Sequence, residues 1–116
     1  MASRVSFKRA EIDFPVDALP HTLHGSAKVD FGFHLDHAEA VVRGVEAKTL
    51  NAYDVAADIY VQRVYHLIRD VSIVGGNNDE VRVEAELDLS DISHPGYKHT
   101  GKLWVVVIGV QNWANN

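Results

Sequence analysis

Strict alternation of apolar and charged residues is the feature that most constrains the fold of this chain. Between residues 80 and 89, every second side chain is apolar, and all of those between are charged. Because successive side chains of a β-strand point to opposite faces, this period of two predicts a strand with one face in a core and one in solvent. The inward positions are Val81, Val83, Ala85, Leu87 and Leu89.

The same period recurs in other segments, most of them rich in valine. Valine favours strands because its branched side chain packs well on a pleated surface. The other segments that we predict as strands on this basis are residues 4–9, 27–34 and 59–74, and the valine-rich residues 102–113 are predicted as a strand from a continuous apolar run. Gly75, Gly76 and Asn77 predict a tight hairpin turn into residues 80–89, because such residues accept positive φ angles.

Residues 38–50 permit two interpretations. The adjacent apolar pair Val41 and Val42, followed by Gly44, indicates a strand interrupted by a β-bulge. The run that begins at Ala38 also tolerates an α-helix, because alanine, glutamate and arginine are good helix formers. The strand is our prediction, and the helix is the alternative.

These segments predict an all-β fold, a single-domain antiparallel β-sandwich of about six strands over residues 1–116. Of these residues 47% are apolar, so that the chain can bury a core without disulfides or metals. Residues 10–26 contain Pro15 and Pro20 and are predicted as an irregular connection. Residues 90–101 are predicted as a polar loop.

Composition excludes several classes of function. The chain has no cysteine, which excludes disulfides, thiolate metal sites and thiol nucleophiles. Its net charge of −5 offers no basic surface for nucleic acid or for an anionic membrane. The longest apolar run, Leu103 to Val110, is too short to cross a bilayer, and no signal peptide is visible. We therefore expect a soluble protein, either cytoplasmic or exported without a visible signal peptide.

Seven histidines raise the question of a metal site. Two pairs, His21 with His24 and His34 with His37, are three residues apart, a spacing that brings imidazoles together on a helix but separates them on a strand. Because we predict strands and loops there, we expect no metal and no other cofactor. Protonation of the histidines between pH 7 and pH 5 moves the net charge toward zero, so that assembly or solubility is expected to change over this interval.

The polar loop before the last predicted strand is the candidate ligand-binding site. Loops on a β scaffold often carry function, and a tyrosine ring in such a loop can stack on a sugar. No Gly-x-Ser-x-Gly motif of a serine nucleophile occurs, and we predict no catalytic residues. The predicted ligand-binding residues are Asp91, His94, Tyr97 and His99.

The last predicted strand is apolar on both faces, which places it in the middle of a sheet. One face can fill the core, whereas the other needs a partner surface. We therefore predict homo-oligomerisation through this sheet, with Trp104, Val106 and Ile108 in the interface.

Residues 38–110 contain in order an apolar run, the bent strand 59–74, the turn at Gly75-Gly76-Asn77, the alternating strand that ends near Asp91, and Gly101-Lys-Leu-Trp-Val-Val-Val-Ile108. This rhythm resembles that of the small six-stranded sandwiches of the H-type lectin kind. The resemblance implies binding of terminal N-acetylgalactosamine-type sugars and assembly as trimers or hexamers. The family commonly carries a disulfide, which this chain cannot form.

These features predict a non-enzymatic oligomeric binding module, with carbohydrate recognition as the first expectation. The alternative is a structural assembly subunit of a larger particle, and the second alternative is a metal-dependent enzyme built on the histidines. A glycan array tests the first function, the mass in native buffer tests the second, and metal analysis of the purified protein tests the third.

Overall fold

The computed structural model of the protein describes residues 2–17, 22–50, 63–90 and 98–113. Most of these residues lie in six β-strands, and no helix occurs among them. The strands are β1 (Ala2–Asp17), β2 (Thr22–Asp30), β3 (His37–Leu50), β4 (Arg63–Val74), β5 (Glu80–Ser90) and β6 (Lys98–Trp113). The predicted all-β class is confirmed.

The strands form two antiparallel sheets of three strands each. Sheet I has the order β1-β6-β3, and sheet II has the order β2-β5-β4. Among these six strands, β4 and β5 are the only consecutive pair in one sheet, and the other connections pass between the sheets. The predicted antiparallel sandwich is confirmed, and β6 lies in the middle of its sheet as predicted.

The core lies between the two central strands, β5 and β6. Alternate side chains of both strands are buried because they point toward the opposite sheet. These side chains are Val81, Val83, Ala85 and Leu87 on β5, and Leu103, Val105 and Val107 on β6. The inward alternation predicted for β5 is thus confirmed at four positions, and the side chain of Leu89 lies outside the described residues.

The prediction of an irregular connection at residues 10–26 is wrong at both ends. β1 continues through the first half of this segment and buries Ile12 and Phe14, and β2 occupies its last residues. Pro15 suggested an earlier end to the strand. However, β1 is an edge strand with only one ladder, and proline is tolerated there because one side of the strand needs no N–H donor. The ladder to β6 shifts its register just after Phe14.

Residues 38–50 form a strand, and the alternative helix is wrong. Nearly all of these residues lie opposite β6, whose ladder satisfies the backbone of β3. The register shifts between Val42 and Gly44, which is the predicted place of the bulge. Arg43 is therefore the extra residue of β3.

β2 ends earlier than the prediction for residues 27–34. The carboxylate of Asp30 accepts a hydrogen bond from the N–H of Gly32 at 2.8 Å, and Gly32 has a φ of 75°. This local turn takes the chain out of the ladder. Phe31 and Leu35, on either side of Gly32, are buried against the core, so that this alternating segment forms a cap at one end of the sandwich.

The hairpin between β4 and β5 has the predicted turn. Gly75 and Asn78 have positive φ angles of 95° and 52°. The N–H of Leu35 bonds to the carbonyl of Asn78 at 2.8 Å, which ties the capping loop to this turn. β4 is described from Arg63 onward and shifts its register after Ile68, consistent with the predicted bend, and residues 59–62 lie outside the described part of the chain.

The sandwich is elongated along its strands and measures 60 × 23 × 18 Å. Its accessible surface is 6906 Å², compared with about 6,300 Å² for a typical monomer of this mass. Long strands in sheets only three strands wide expose much surface for the size of the core. The outer faces of the two sheets contribute to that surface, and they differ sharply in chemistry.

Candidate functional site

The predicted ligand-binding loop falls mostly outside the described structure. Asp91, His94 and Tyr97 lie outside the described residues. The backbone of His99 belongs to β6, where it pairs with Asp17 and Thr49, but its side chain is likewise not among those described. The assignment of these four residues to a ligand site stays a prediction.

The predicted interface residues Trp104, Val106 and Ile108 lie together on the outer face of sheet I. Because the alternate residues of β6 point into the core, these three point away from it and are half-buried. Val110 continues the same row. The central strand of sheet I thus presents four consecutive outward positions that are all apolar.

The two flanking strands extend this row into a patch. On β1, Val5 lies opposite Val110 and Phe7 opposite Ile108, and on β3, Val41 lies opposite Val106. Val5, Phe7 and Val41 are exposed at 51%, 65% and 55%. Residues directly opposite each other in an antiparallel pair point to the same face. We define the apolar face as Val5, Phe7, Val41, Trp104, Val106, Ile108 and Val110.

One end of the apolar face is bordered by ion pairs around Lys102. Its Nζ lies 3.4 Å from Oε1 of Glu11 and 3.8 Å from Oδ1 of Asp13, both on β1. The pKa of the Lys102 amine is raised, most of all by the charge of Glu11, to which the amine also donates a hydrogen bond. The charges of Asp13 and of Glu46 on β3 add to this effect. The lysine therefore stays charged at neutral pH and neutralises part of an acidic border.

The other end is bordered by a histidine and a carboxylate on β3. Nε2 of His37 lies 3.1 Å from Oε1 of Glu39, and both side chains are well exposed. His37 is opposite Val110 and Glu39 is opposite Ile108, so that both point to the same side as the apolar face. An apolar centre with charged residues of both signs at its border is the usual arrangement of a protein–protein interface.

The outer face of sheet II is charged instead. Its ion pairs cross between neighbouring strands or run along one strand, and their N···O distances lie between 3.3 and 3.6 Å. The pairs are His24–Glu86, Arg69–Glu86, Lys28–Glu80 and Arg82–Glu84. Exposed pairs of this kind contribute little to stability but keep a sheet face solvated. This contrast makes the apolar face of sheet I the exceptional surface of the molecule.

A shallow groove of about 500 Å³ crosses sheet II. Glu86 lies within ion-pair distance of both Arg69 and His24 in this groove, and Glu84 lies beside them. One guanidinium, that of Arg69, thus faces the two carboxylates of Glu84 and Glu86, so the groove offers no unpaired positive charge to an anion. In the described part of the chain, no three His, Asp or Glu side chains are close enough together to hold a metal ion.

The sequence identified three of the four β6 residues of the apolar face, but Val110 and the flanking Val5, Phe7 and Val41 were missed. The alternation of residues 4–9 already placed Val5 and Phe7 on one side of a strand. However, only the register with β6 shows that this side is the outer one. Val41 belongs to the apolar pair that predicts the bulge, and its outward position follows only from its pairing with Val106.

A search of protein-family models, of curated proteins and of solved structures finds no match to this chain. Among the described residues, none form a helix with the length and apolar character needed to cross a membrane. The apolar face is accordingly the observation from which a function can be argued.

Proposed function

We propose that the protein is a non-enzymatic assembly module that forms homo-oligomers through the apolar face of sheet I. The observation that carries this proposal is the set of seven apolar side chains on one outer sheet face, three of them at least half exposed. Single exposed apolar residues are ordinary, but monomeric proteins seldom expose contiguous apolar patches larger than a few hundred Å². Burial of this patch against a partner is favourable, because it removes apolar surface from water.

The composition of the face also supports an interface. Aromatic residues are enriched at the centre of interfaces because they bury a large area at a low cost in side-chain entropy. Phe7 and Trp104 supply two such side chains. Arg9, which borders the apolar face on the edge strand β1 opposite Val106, is a residue type that interfaces also favour. No ion pair to Arg9 occurs among the described residues.

A second copy of this chain is the partner that the face fits best. Three strands and five outward positions per strand, which include the charged border, span about 14 by 30 Å, or roughly 400 Å² in projection, about half of the roughly 800 Å² per partner of a standard interface. The border carries both Lys102 and the carboxylates of Glu11, Glu39 and Glu46, so that two copies can present opposite charges to each other. A flat sheet face can also stack on its own copy as sheets do in sandwiches.

The mass of the protein in native buffer tests this proposal. We expect sedimentation equilibrium at micromolar concentration to give a multiple of the 12.9 kDa chain mass. Light scattering after size-exclusion chromatography provides an independent mass that does not depend on the elongated shape. A monomer at these concentrations in both measurements contradicts the proposal.

Carbohydrate recognition by Asp91, His94, Tyr97 and His99 stays a prediction of the sequence. It is compatible with the assembly module, because a sheet-to-sheet interface leaves the ends of the sandwich free to contact a ligand. A glycan array probed with the wild type and with Tyr97→Ala separates the two properties. Binding that this substitution abolishes, in a protein that still assembles, supports a sugar site in the loop.

A further inference from the structure

We propose that His37 and Glu39, at the border of the apolar face, make self-association tighter in mildly acidic solution. This inference rests on the proposed function, because it concerns the regulation of the same surface. The two side chains lie two residues apart on β3 and point outward beside Val110 and Ile108. A second copy that covers the apolar face therefore also covers or adjoins this pair.

The charge of the pair depends on pH. At pH 7.5 an ordinary histidine is mostly neutral and an ordinary glutamate is ionised, so that the pair carries one negative charge. Burial of an uncompensated carboxylate is costly because it loses its hydration. Once His37 is protonated, the 3.1 Å contact between its Nε2 and Oε1 of Glu39 becomes an ion pair with no net charge. Association then takes up protons, and by linkage it strengthens as the pH falls.

The residues of the neighbouring strands that lie beside the pair carry no charge. β6 places Val110 and Ile108 opposite it, and β1 places Val5 and Phe7 beyond them, none of which titrates. The next charged position outward on β1 is Arg9, level with Val106.

The loop that leads into β3 contains the other ionisable groups near this end. Asp36 lies 3.5 Å from Nε2 of His34, and its other carboxylate oxygen accepts the N–H of Asn112 at 2.8 Å. These contacts already occupy the Asp36 carboxylate. Among the described residues, His37 is thus the group that forms an ion pair with Glu39.

The net charge of the whole protein also favours tighter association at lower pH, but its effect can be separated experimentally from that of the His37–Glu39 pair. Each copy has a formal charge of −5 at pH 7, and protonation of seven histidines reduces the repulsion between copies. This long-range effect is screened in 0.5 M NaCl, where the Debye length falls to about 4 Å. The contact between His37 and Glu39 lies within that distance and is screened less.

The experiment is sedimentation equilibrium of the full chain at pH 7.5 and pH 5.5 in 0.5 M NaCl. For the wild type we expect the dissociation constant to be about fivefold to tenfold lower at pH 5.5, from two partly buried pairs of modest strength per dimer. His37→Gln should reduce this change to less than about twofold. Glu39→Gln should associate more tightly than the wild type at pH 7.5 and show a similarly small pH effect.

His24→Gln is the matched control, because His24 forms the same kind of contact with Glu86 on the outer face of sheet II, away from the apolar face. This variant should keep the pH change of the wild type. If His37→Gln keeps the full change, the inference is wrong although the protein assembles. If the wild type is a monomer at both pH values, the proposed function itself is wrong. Circular dichroism checks that the exposed substitutions leave the fold intact.

Discussion

Phe7→Glu is expected to convert the assembled protein into monomers. The ring of Phe7 is 65% exposed on the apolar face, opposite Ile108. Loss of an aromatic side chain at the centre of an interface commonly costs 2 kcal/mol or more, and the new carboxylate adds a desolvation cost. We expect the dissociation constant to rise by about 100-fold or more, which corresponds to about 2.7 kcal/mol. Sedimentation equilibrium measures this change.

Two valines of β3 provide a matched pair for the same experiment. Val41 is opposite Val106 on the apolar face, whereas Val45 is opposite Leu103 on the other side of the sheet. Both are exposed, at 55% and 41%. Val41→Glu should weaken assembly strongly, and Val45→Glu should weaken it far less. Equal effects of the two substitutions would indicate that assembly uses another surface or that both variants lose the fold.

Gly101→Ala is expected to destabilise the monomer itself. Gly101 is buried on β6, and a Cβ at this position would overlap the carbonyl oxygen of Glu46 on β3 and the side chain of Leu87 on β5. The backbone of Glu46 cannot move away without loss of the β3–β6 ladder. Such overpacking costs about 1 to 3 kcal/mol and occasionally more, a large share of the stability of a small domain. Urea denaturation followed by circular dichroism should show a lower midpoint.

Gly76→Ala is the control for this substitution. Gly76 lies in the β4–β5 turn, and a Cβ there meets no atom within 4 Å. Its backbone also lacks the positive φ of its neighbour Gly75, so alanine causes no strain. We expect a change of less than about 0.5 kcal/mol. A Gly101→Ala protein as stable as Gly76→Ala would contradict the close packing of the sheets at this point.

The central strands could be predicted from the sequence because their local pattern and their environment agree. β5 alternates strictly and has one face in the core and one in solvent. β6 is apolar on both faces and occupies the middle of sheet I. The turn residues Gly75 and Asn78 take the positive φ angles that their residue types favour. In all three cases, the pattern of a few consecutive residues is enough to determine the local structure.

The edge strands and the apolar face needed information that no local pattern contains. Pro15 indicated the end of a strand, but the position of β1 at the edge of sheet I removes the need for a second ladder. Asp30 and Gly32 end β2 through a turn that the alternation of Phe31 and Phe33 obscured. The face on which Phe7 lies depends on a register with a strand about a hundred residues away.

The pairing of β1 with β6 also determines when the fold can form. β6 follows the other five strands in the sequence, yet it is the strand to which both β1 and β3 pair. During synthesis, β4 and β5 can already form their hairpin, while β1 and β3 must wait for their shared neighbour. Contacts between such distant segments close slowly because a long loop must be ordered first. β1 and β3 thus stay without their ladder partner until β6 has been synthesised, and in that interval their unpaired edges favour aggregation and chaperone binding.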